Sequence, residues 1–186
     1  ALLVVVSAAL SMTVRYTSSE KTKRGICRGL VVVLLGGELF KYVFTLTQYG
    51  TEYFVQNSLP LHMCGIAVYL AATVLITKRQ IIFEIVYFWA IGGTTQAILT
   101  PAVEAGFPSY RFSQFFIEHS AVIIAVMVAV FGLKMRPRLK GVWITYAVSW
   151  ATVFVVGGIN HLLGTNYMYL CGRAEGVSPF YFLGWP

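Results

Sequence analysis

Apolar residues fall into six long stretches that short polar segments separate. Several stretches approach or exceed the ~20 residues that an apolar helix needs to cross a bilayer. Inside a bilayer the chain must pair its own backbone N–H and C=O groups, so such stretches fold as helices. The pattern predicts a single domain over residues 1–186, an all-α polytopic transmembrane helix bundle. Its six visible spans are expected at about 1–14, 26–46, 59–76, 81–100, 112–133 and 142–163.

The composition supports a membrane protein and excludes an ordinary soluble domain. Hydrophobic residues make up 58% of the chain and charged residues 11%, with a mean hydropathy of +0.73. Soluble domains average about 25% charged residues. The net charge of +7 does not indicate a nucleic-acid partner, because Lys and Arg form short clusters between the apolar stretches. Membrane lipids are therefore the expected partners.

The basic clusters occur in alternate loops, and this orients the bundle. Eleven of the 14 Lys and Arg residues lie in segments 15–28, 78–79 and 134–140. The positive-inside rule assigns these loops to the cytoplasm. The chain also begins inside an apolar stretch without an initiator Met. We therefore expect the sequence to be truncated at both ends.

Reactive side chains gather in the half of the membrane that faces away from the basic loops. His62 and Cys64 open the third stretch, His119 lies about two turns into the fifth, and His161 nearly ends the sixth. At ~1.5 Å rise per residue, the three histidines lie at similar depths. The same level holds further polar residues, namely Gln96, Thr100, Glu118 and Asn160. Together these residues predict a polar layer in the outer half of the bundle.

Cys64 is the candidate nucleophile of this layer. Pro60 suits the first position of a helix. Cys64 would then lie near a helix N-terminus, where free N–H groups favour a thiolate and can hold an oxyanion. A histidine from another helix can act as base. Residues two apart on a helix point to different faces, so His119 is a better partner than His62. The pattern alone favours the alternative, in which Cys64 is a small packing residue or forms a disulfide with Cys171.

A metal site built from the three histidines and Glu118 is disfavoured by spacing. No pair has the i, i+4 separation of a helical metal motif, and the adjacent Glu118 and His119 diverge on a helix. We therefore predict no metal and no cofactor.

Two charged residues lie inside the second stretch. Glu38 and Lys41 are one turn apart and can pair on one helix face. Buried charge in lipid indicates function by default, whereas an internal ion pair that fixes helix packing is the commoner explanation. Both interpretations stay open at this point.

Two further segments carry candidate binding residues. Gln96 and Asn160 lie on faces rich in glycine, which lets helices approach closely and join through polar side chains. Asn166 belongs to segment 164–171, an aromatic and polar stretch that follows the sixth span. This stretch forms either a lid over an outer pocket or a belt of aromatic side chains at the membrane interface.

Several motifs resemble a known family. The first is Leu-Pro-Leu-His-Met-Cys at 59–64, and the other five lie at 83–89, 96–101, 106–109, 115–120 and 164–171. They resemble the YwaF family of bacterial integral membrane proteins, which implies the bacterial inner membrane. A vertebrate relative is a seven-span phospholipid acyltransferase with a cysteine acyl-enzyme. The resemblance implies that Cys64 carries the acyl group, that His119 is its base, and that a seventh span follows residue 186.

The leading hypothesis is a lipid-modifying acyltransferase or transacylase. Cys64 and His119 would be its catalytic residues, and substrate would be bound by His62, Gln96, Asn160 and Asn166. A second hypothesis is a non-catalytic small subunit of a larger membrane complex, because the chain has almost no soluble loops. A third is a transporter that uses Glu38 and Lys41.

Overall fold

The computed structural model describes residues 2–101, 103 and 106–172. The described chain is helical and contains no strand, which confirms the predicted all-α transmembrane bundle. The helices are α1 (Leu2–Tyr16), α2 (Glu20–Asn57), α3 (Met63–Thr77), α4 (Gln80–Trp89), α5 (Thr95–Leu99), α6 (Tyr110–Met127) and α7 (Leu139–Leu163). Two π-helical turns, Ala90–Thr94 and Val128–Gly132, continue α4 into α5 and extend α6, and a short 3-10 turn spans Tyr167–Tyr169.

Within the described ranges, four helical segments are long and apolar enough to cross a membrane. They are Glu20–Asn57, Gln80–Leu99, Tyr110–Gly132 and Leu139–Leu163. The helices α1 and α3 are also apolar, but each has 15 residues, a length of roughly 22 Å at 1.5 Å per residue. The hydrocarbon core is about 30 Å thick. The predicted spans are thus present as helices, and α3 is shorter than a full crossing.

The helix α3 forms the centre of the bundle. Its buried side chains are small and apolar, including Ala67, Val68, Ala71 and Ala72. A helix that is apolar on all sides is the kind that a bundle encloses, and α3 packs against α2, α4 and α6. By contrast, α7 packs mainly on α4 and stays largely exposed.

The helix α2 is interrupted at Gly50. This glycine has φ 80° and ψ 178°, a conformation that costs side-chain-bearing residues far more than glycine. The helix is kinked there, and several residues of its last turns line a cavity described below. The sequence pattern had ended the corresponding span at residue 46, because the turns beyond it are polar and aromatic.

The three basic segments meet at one end of the bundle. Gln80 Nε2 donates to the carbonyl oxygen of Arg136 at 2.7 Å. The fully buried Glu84 accepts from Arg138 Nε at 2.7 Å, from Arg138 Nη2 at 3.2 Å and from the Arg138 backbone N–H at 3.1 Å. Gly141 allows this contact, since a Cβ there would lie 2.5 Å from Glu84 Cδ. Glu84 is therefore a buried anchor for the loop before α7.

Candidate functional site

A polar cavity opens at the end of the bundle opposite the basic segments. Its volume is about 730 Å³. Its walls come from the second half of α2, the first half of α6, the loop before α3 and the segment after α7. The lining residues are Lys41, Phe44, Thr45, Tyr49, Tyr53, Gln56, Asn57, Ser58, His62, Val103, Tyr110, Arg111, Gln114, Phe115, Asn166 and Tyr169.

His62 holds the loop before α3 against the segment after α7. The helix begins at Met63, three residues later than Pro60, so Pro60 is not its first residue and Cys64 is its second. His62 Nδ1 accepts from the Met168 N–H at 3.2 Å. The His62 ring also packs on Tyr167, with centroids 5.2 Å apart. His62 therefore lines the cavity from a fixed position.

Tyr167 and Asn160 fix the same junction from the other side. Asn160 is buried: its Nδ2 donates to the Tyr167 carbonyl at 2.8 Å, and its Oδ1 accepts from the Tyr167 N–H at 2.9 Å. The Tyr167 hydroxyl donates to the Val55 carbonyl at 2.8 Å and accepts from the Leu59 N–H at 3.0 Å. Burial raises the pKa of Tyr167, which keeps this hydroxyl protonated. Asn160, predicted from sequence to bind substrate, positions the wall of the cavity through these bonds.

Cys64 lies in the first turn of α3. The first α-helical bond there joins the Ile66 N–H to the His62 carbonyl at 3.1 Å. The backbone N–H groups before it have no partner inside the helix, as at any helix N-terminus. The thiol hydrogen-bonds to Thr94, a buried residue of the π-helical turn, and lies within electrostatic reach of Glu118 and Lys41. Cys64 does not line the polar cavity.

His119 is buried in α6 behind a side chain of the cavity wall. Its ring stacks on Phe115, which lines the cavity, with centroids 4.1 Å apart. Its Nδ1 lies 2.8 Å from the Phe115 carbonyl oxygen. A carbonyl can only accept, so Nδ1 carries the proton and Nε2 is left as an acceptor. Among the described residues no hydrogen bond joins the Cys64 thiol to this ring.

An ionic cluster lies beside both residues. Lys41 Nζ is 2.7 Å from Glu38 Oε1 and 3.7 Å from Glu118 Oε2. Gln114 also donates to Glu118. The predicted pair of Glu38 and Lys41 is therefore present, and Glu118 of α6 completes it. Lys41 lies within electrostatic reach of Cys64, His62 and His119. The ionic cluster is therefore close to three residues of the predicted polar layer.

Arg111 lies in the cavity wall and was not singled out from the sequence. Its guanidinium packs 5.3 Å from the ring centroids of Tyr49 and Tyr53 and donates to the Tyr53 hydroxyl. Within the described part of the cavity lining, the charged residues are Lys41 and Arg111, both cationic. The sequence signal that could have indicated a site here is the pair of tyrosines, which lie one helical turn apart beside a polar loop.

The remaining predicted site residues are dispersed. Asn166 lines the cavity and accepts from the Cys171 N–H at 2.9 Å. Gln96 is the second residue of α5, bonded to Thr100 at 3.0 Å and outside the cavity lining. His161 is exposed on α7. Within the described ranges no three His, Cys, Asp or Glu side chains converge as metal ligands do.

The disulfide alternative is wrong. Cys64 and Cys171 are both free thiols, and so is Cys27, which is buried at the basic end. Cys171 is exposed while Cys64 is largely enclosed. The packing alternative for Cys64 remains, because its neighbours include the close-packed α3 core.

Comparison with known proteins gives a family. A family model described as the TMEM164 family matches residues 1–186. An uncharacterised protein of Treponema pallidum (strain Nichols) is 27% identical over 117 residues, which cover 62% of this chain and 48% of that protein. The chain thus spans about half the length of this curated relative. No solved structure matches the chain. These matches do not test the YwaF label, which stays a prediction.

Proposed function

The chain belongs to the TMEM164 family of membrane proteins, and from this premise we propose that it is an acyltransferase. It would move a fatty acyl group between membrane lipids through a thioester on Cys64. The observation that carries the proposal is the arrangement around Lys41. A thiol in the first turn of α3 and a histidine with an available Nε2 both lie within electrostatic reach of this half-buried lysine, beside a cavity of about 730 Å³.

The reaction needs one base and one oxyanion site. His119 Nε2 takes the proton of the Cys64 thiol, and the thiolate attacks the carbonyl carbon of a donor ester. The oxyanion that forms is held by the unpaired N–H groups at the start of α3. The C–O bond then breaks, and the leaving lysolipid alkoxide takes the proton from His119.

The second half of the reaction reverses these roles. His119 removes the proton from an acceptor lipid hydroxyl, whose oxygen attacks the thioester carbonyl. The C–S bond breaks, and the thiolate takes the proton from His119. The products are the acylated acceptor and the original enzyme, so no cofactor is consumed.

The cavity has the chemistry of a lipid head-group site. Lys41 and Arg111 supply positive charge, and Tyr49, Tyr53 and Phe115 supply rings against which an amphiphile can pack. Access to His119 from this cavity requires movement of Phe115, whose ring covers the histidine. The donor lipid would bind with its phosphate near Arg111 and its ester directed toward α3.

The direct test is acyl transfer from a labelled phospholipid to a lysolipid acceptor in detergent micelles. Cys64→Ala and His119→Ala should each reduce transfer at least ~100-fold, because each removes a group needed in the proton-transfer steps. Cys27→Ala is the matched control, a free buried cysteine at the opposite end. Intact-mass measurement of the wild type with donor alone should find an acyl adduct, and peptide mapping should locate it on Cys64.

Two results would overturn the proposal. One is wild-type turnover in folded Cys64→Ala and His119→Ala proteins. The other is a hydroxylamine-resistant adduct, which would mean that the acyl group is not held as a thioester. Helix content by circular dichroism and a single size-exclusion peak establish that each variant is folded.

The second candidate function is that of a subunit in a membrane complex. The helix α7 is largely exposed and carries a stripe of aromatic rings in edge-to-face or tilted contact, formed by Trp143, Tyr146, Trp150 and Phe154. A lipid-facing helix and a partner-facing helix both present such a stripe. Purification in mild detergent separates the two cases. A stoichiometric partner lost on Trp143→Ala and Trp150→Ala substitution would favour the subunit function.

A further inference from the structure

A second cavity lies at the basic end of the bundle. Its volume is about 220 Å³. The start of α2, the end of α3 and the loop after α6 form its walls. We call it the basic pocket, lined by Glu20, Lys23, Arg24, Cys27, Arg28, Leu75, Ile76, Lys78 and Leu133.

Positive charge in this pocket exceeds negative charge. Four of its residues are cations, whereas Glu20 is its acid. Glu20 is already paired, because Lys23 Nζ lies 2.7 Å from its Oε1. Among the described residues, Arg28 and Lys78 form no salt bridge, although Lys78 lies within electrostatic reach of Glu20. Four cations that converge around one carboxylate leave an excess of positive charge, which indicates a place for an anion.

The backbone fixes where these cations lie. Lys78 adopts a left-handed conformation with φ 54°, and its N–H closes α3 by bonding the Val74 carbonyl at 2.8 Å. Arg24 and Arg28 are four residues apart, so they project from one face of α2. Arg24 is tied further, since its Nε donates to the Glu20 carbonyl at 3.3 Å. The cations thus face one another across the gap between two helices.

The rest of the pocket is apolar. Cys27 is buried, and Leu75 is buried beside it. Ile76, by contrast, is 65% exposed on the outside of the bundle. A ligand that pairs a phosphate with an apolar chain could place the phosphate among the cations and the chain along Ile76. Because the cations and the exposed apolar surface adjoin in one pocket, a lipid is favoured over a free ion as its ligand.

We propose that the basic pocket is a phosphate-binding site that takes the head group of an anionic membrane lipid. Arg28 and Lys78 are the residues that bind the phosphate, and Arg24 supports them. Basic pockets between helices at this level of a membrane suit anionic head groups. The site lies at the opposite end of the bundle from the polar cavity and does not depend on acyl transfer.

The test compares two double variants of the full chain that lose the same charge. The pocket variant is Arg28→Gln with Lys78→Asn, because asparagine tolerates the left-handed conformation at residue 78. The control is Lys21→Gln with Lys134→Asn. Both control residues are basic and lie outside the pocket lining, and Lys134 also has a positive φ, of 61°.

The probe is phosphatidylglycerol in phosphatidylcholine nanodiscs, with retained lipid counted by native mass spectrometry. Inorganic phosphate alone, titrated in detergent and followed by thermal shift, forms a second arm. The pocket variant should lose phosphatidylglycerol affinity about 30-fold, since each basic contact is worth roughly fivefold near a membrane surface. The control should stay within about threefold of wild type, because Lys21 and Lys134 lie outside the pocket lining and act on the lipid only through the screened surface potential.

The outcomes separate the sources of the anion. Selective loss of phosphatidylglycerol in the pocket variant supports the proposal. Selective loss of inorganic phosphate binding also supports a phosphate site, and assigns it to the free ion. Equal losses in the two variants would mean general surface attraction and overturn the proposal, as would no loss in either. If the pocket variant does not fold, Arg28→Gln and Lys21→Gln carry the same comparison.

Discussion

Lys41 of α2 forms an ion pair with Glu118 of α6, with Nζ 3.7 Å from Oε2, while it holds Glu38 on its own helix at 2.7 Å. Glu38 is 1% exposed, and its second oxygen, Oε2, has no described hydrogen-bond partner. The Lys41 ammonium is therefore the counter-charge of two largely enclosed carboxyl groups, those of Glu38 and Glu118. Charges in this position are costly when unpaired.

Lys41→Met should destabilise the bundle by about 3–5 kcal/mol, the cost of leaving a buried ionic group uncompensated. Thermal unfolding in detergent measures this change, with Lys21→Met as the control at an exposed position. Adding Glu38→Gln to Lys41→Met should recover part of the loss, because it removes a carboxylate. A double variant less stable than Lys41→Met would contradict this account.

Gly141→Ala should lower the melting temperature, because its Cβ would lie 2.5 Å from Glu84 Cδ and push the carboxylate away from Arg138. Overpacking of this kind costs about 1–3 kcal/mol. Gly158→Ala is the control on the same helix, where a Cβ meets nothing within 4 Å. That substitution should be neutral or slightly stabilising. Equal effects at the two glycines would rule out the clash.

Tyr167→Phe should loosen the junction between α7 and the loop before α3. It removes the hydroxyl that bonds Val55 and Leu59, leaving two half-buried backbone groups unpaired, at a cost of up to about 1–3 kcal/mol each. We expect faster hydrogen exchange in residues 55–64 and a fall in any acyl transfer. Tyr146→Phe, at an exposed position on α7, is the control. Unchanged exchange around residue 59 would count against the role of Tyr167.

Arg111→Gln should raise the KM for an anionic donor lipid about tenfold or more, as expected when a hydrogen bond to a charged group is lost. The kcat should change little, because Arg111 is assigned to the head group and not to the ester. Arg79→Gln, at the basic end, is the control. A fall in kcat at unchanged KM would place Arg111 in the chemistry instead.

The bundle itself was predictable because hydropathy and charge act locally. Six apolar stretches and three basic loops specified the helices and their alternation, and the observed α4–α5 and α6–α7 segments agree with prediction to within a few residues. The errors fell at helix ends. The helix α3 begins at Met63 because the preceding turn is held by Tyr167 and His62, which lie about 100 residues away in sequence from their partners.

The sequence by itself determined that this chain is an all-α membrane protein with a polar layer at one end and basic loops at the other. Hydrophobic transfer and charge placement depend on residue type and order, so no tertiary information was needed. Only the tertiary structure decided that Glu118 joins Glu38 and Lys41, that Arg111 packs against two tyrosines, and that the Asn160 side chain bonds the Tyr167 backbone. Those choices depend on which faces of separate helices meet, and helix packing is set by side-chain contacts that periodicity does not encode.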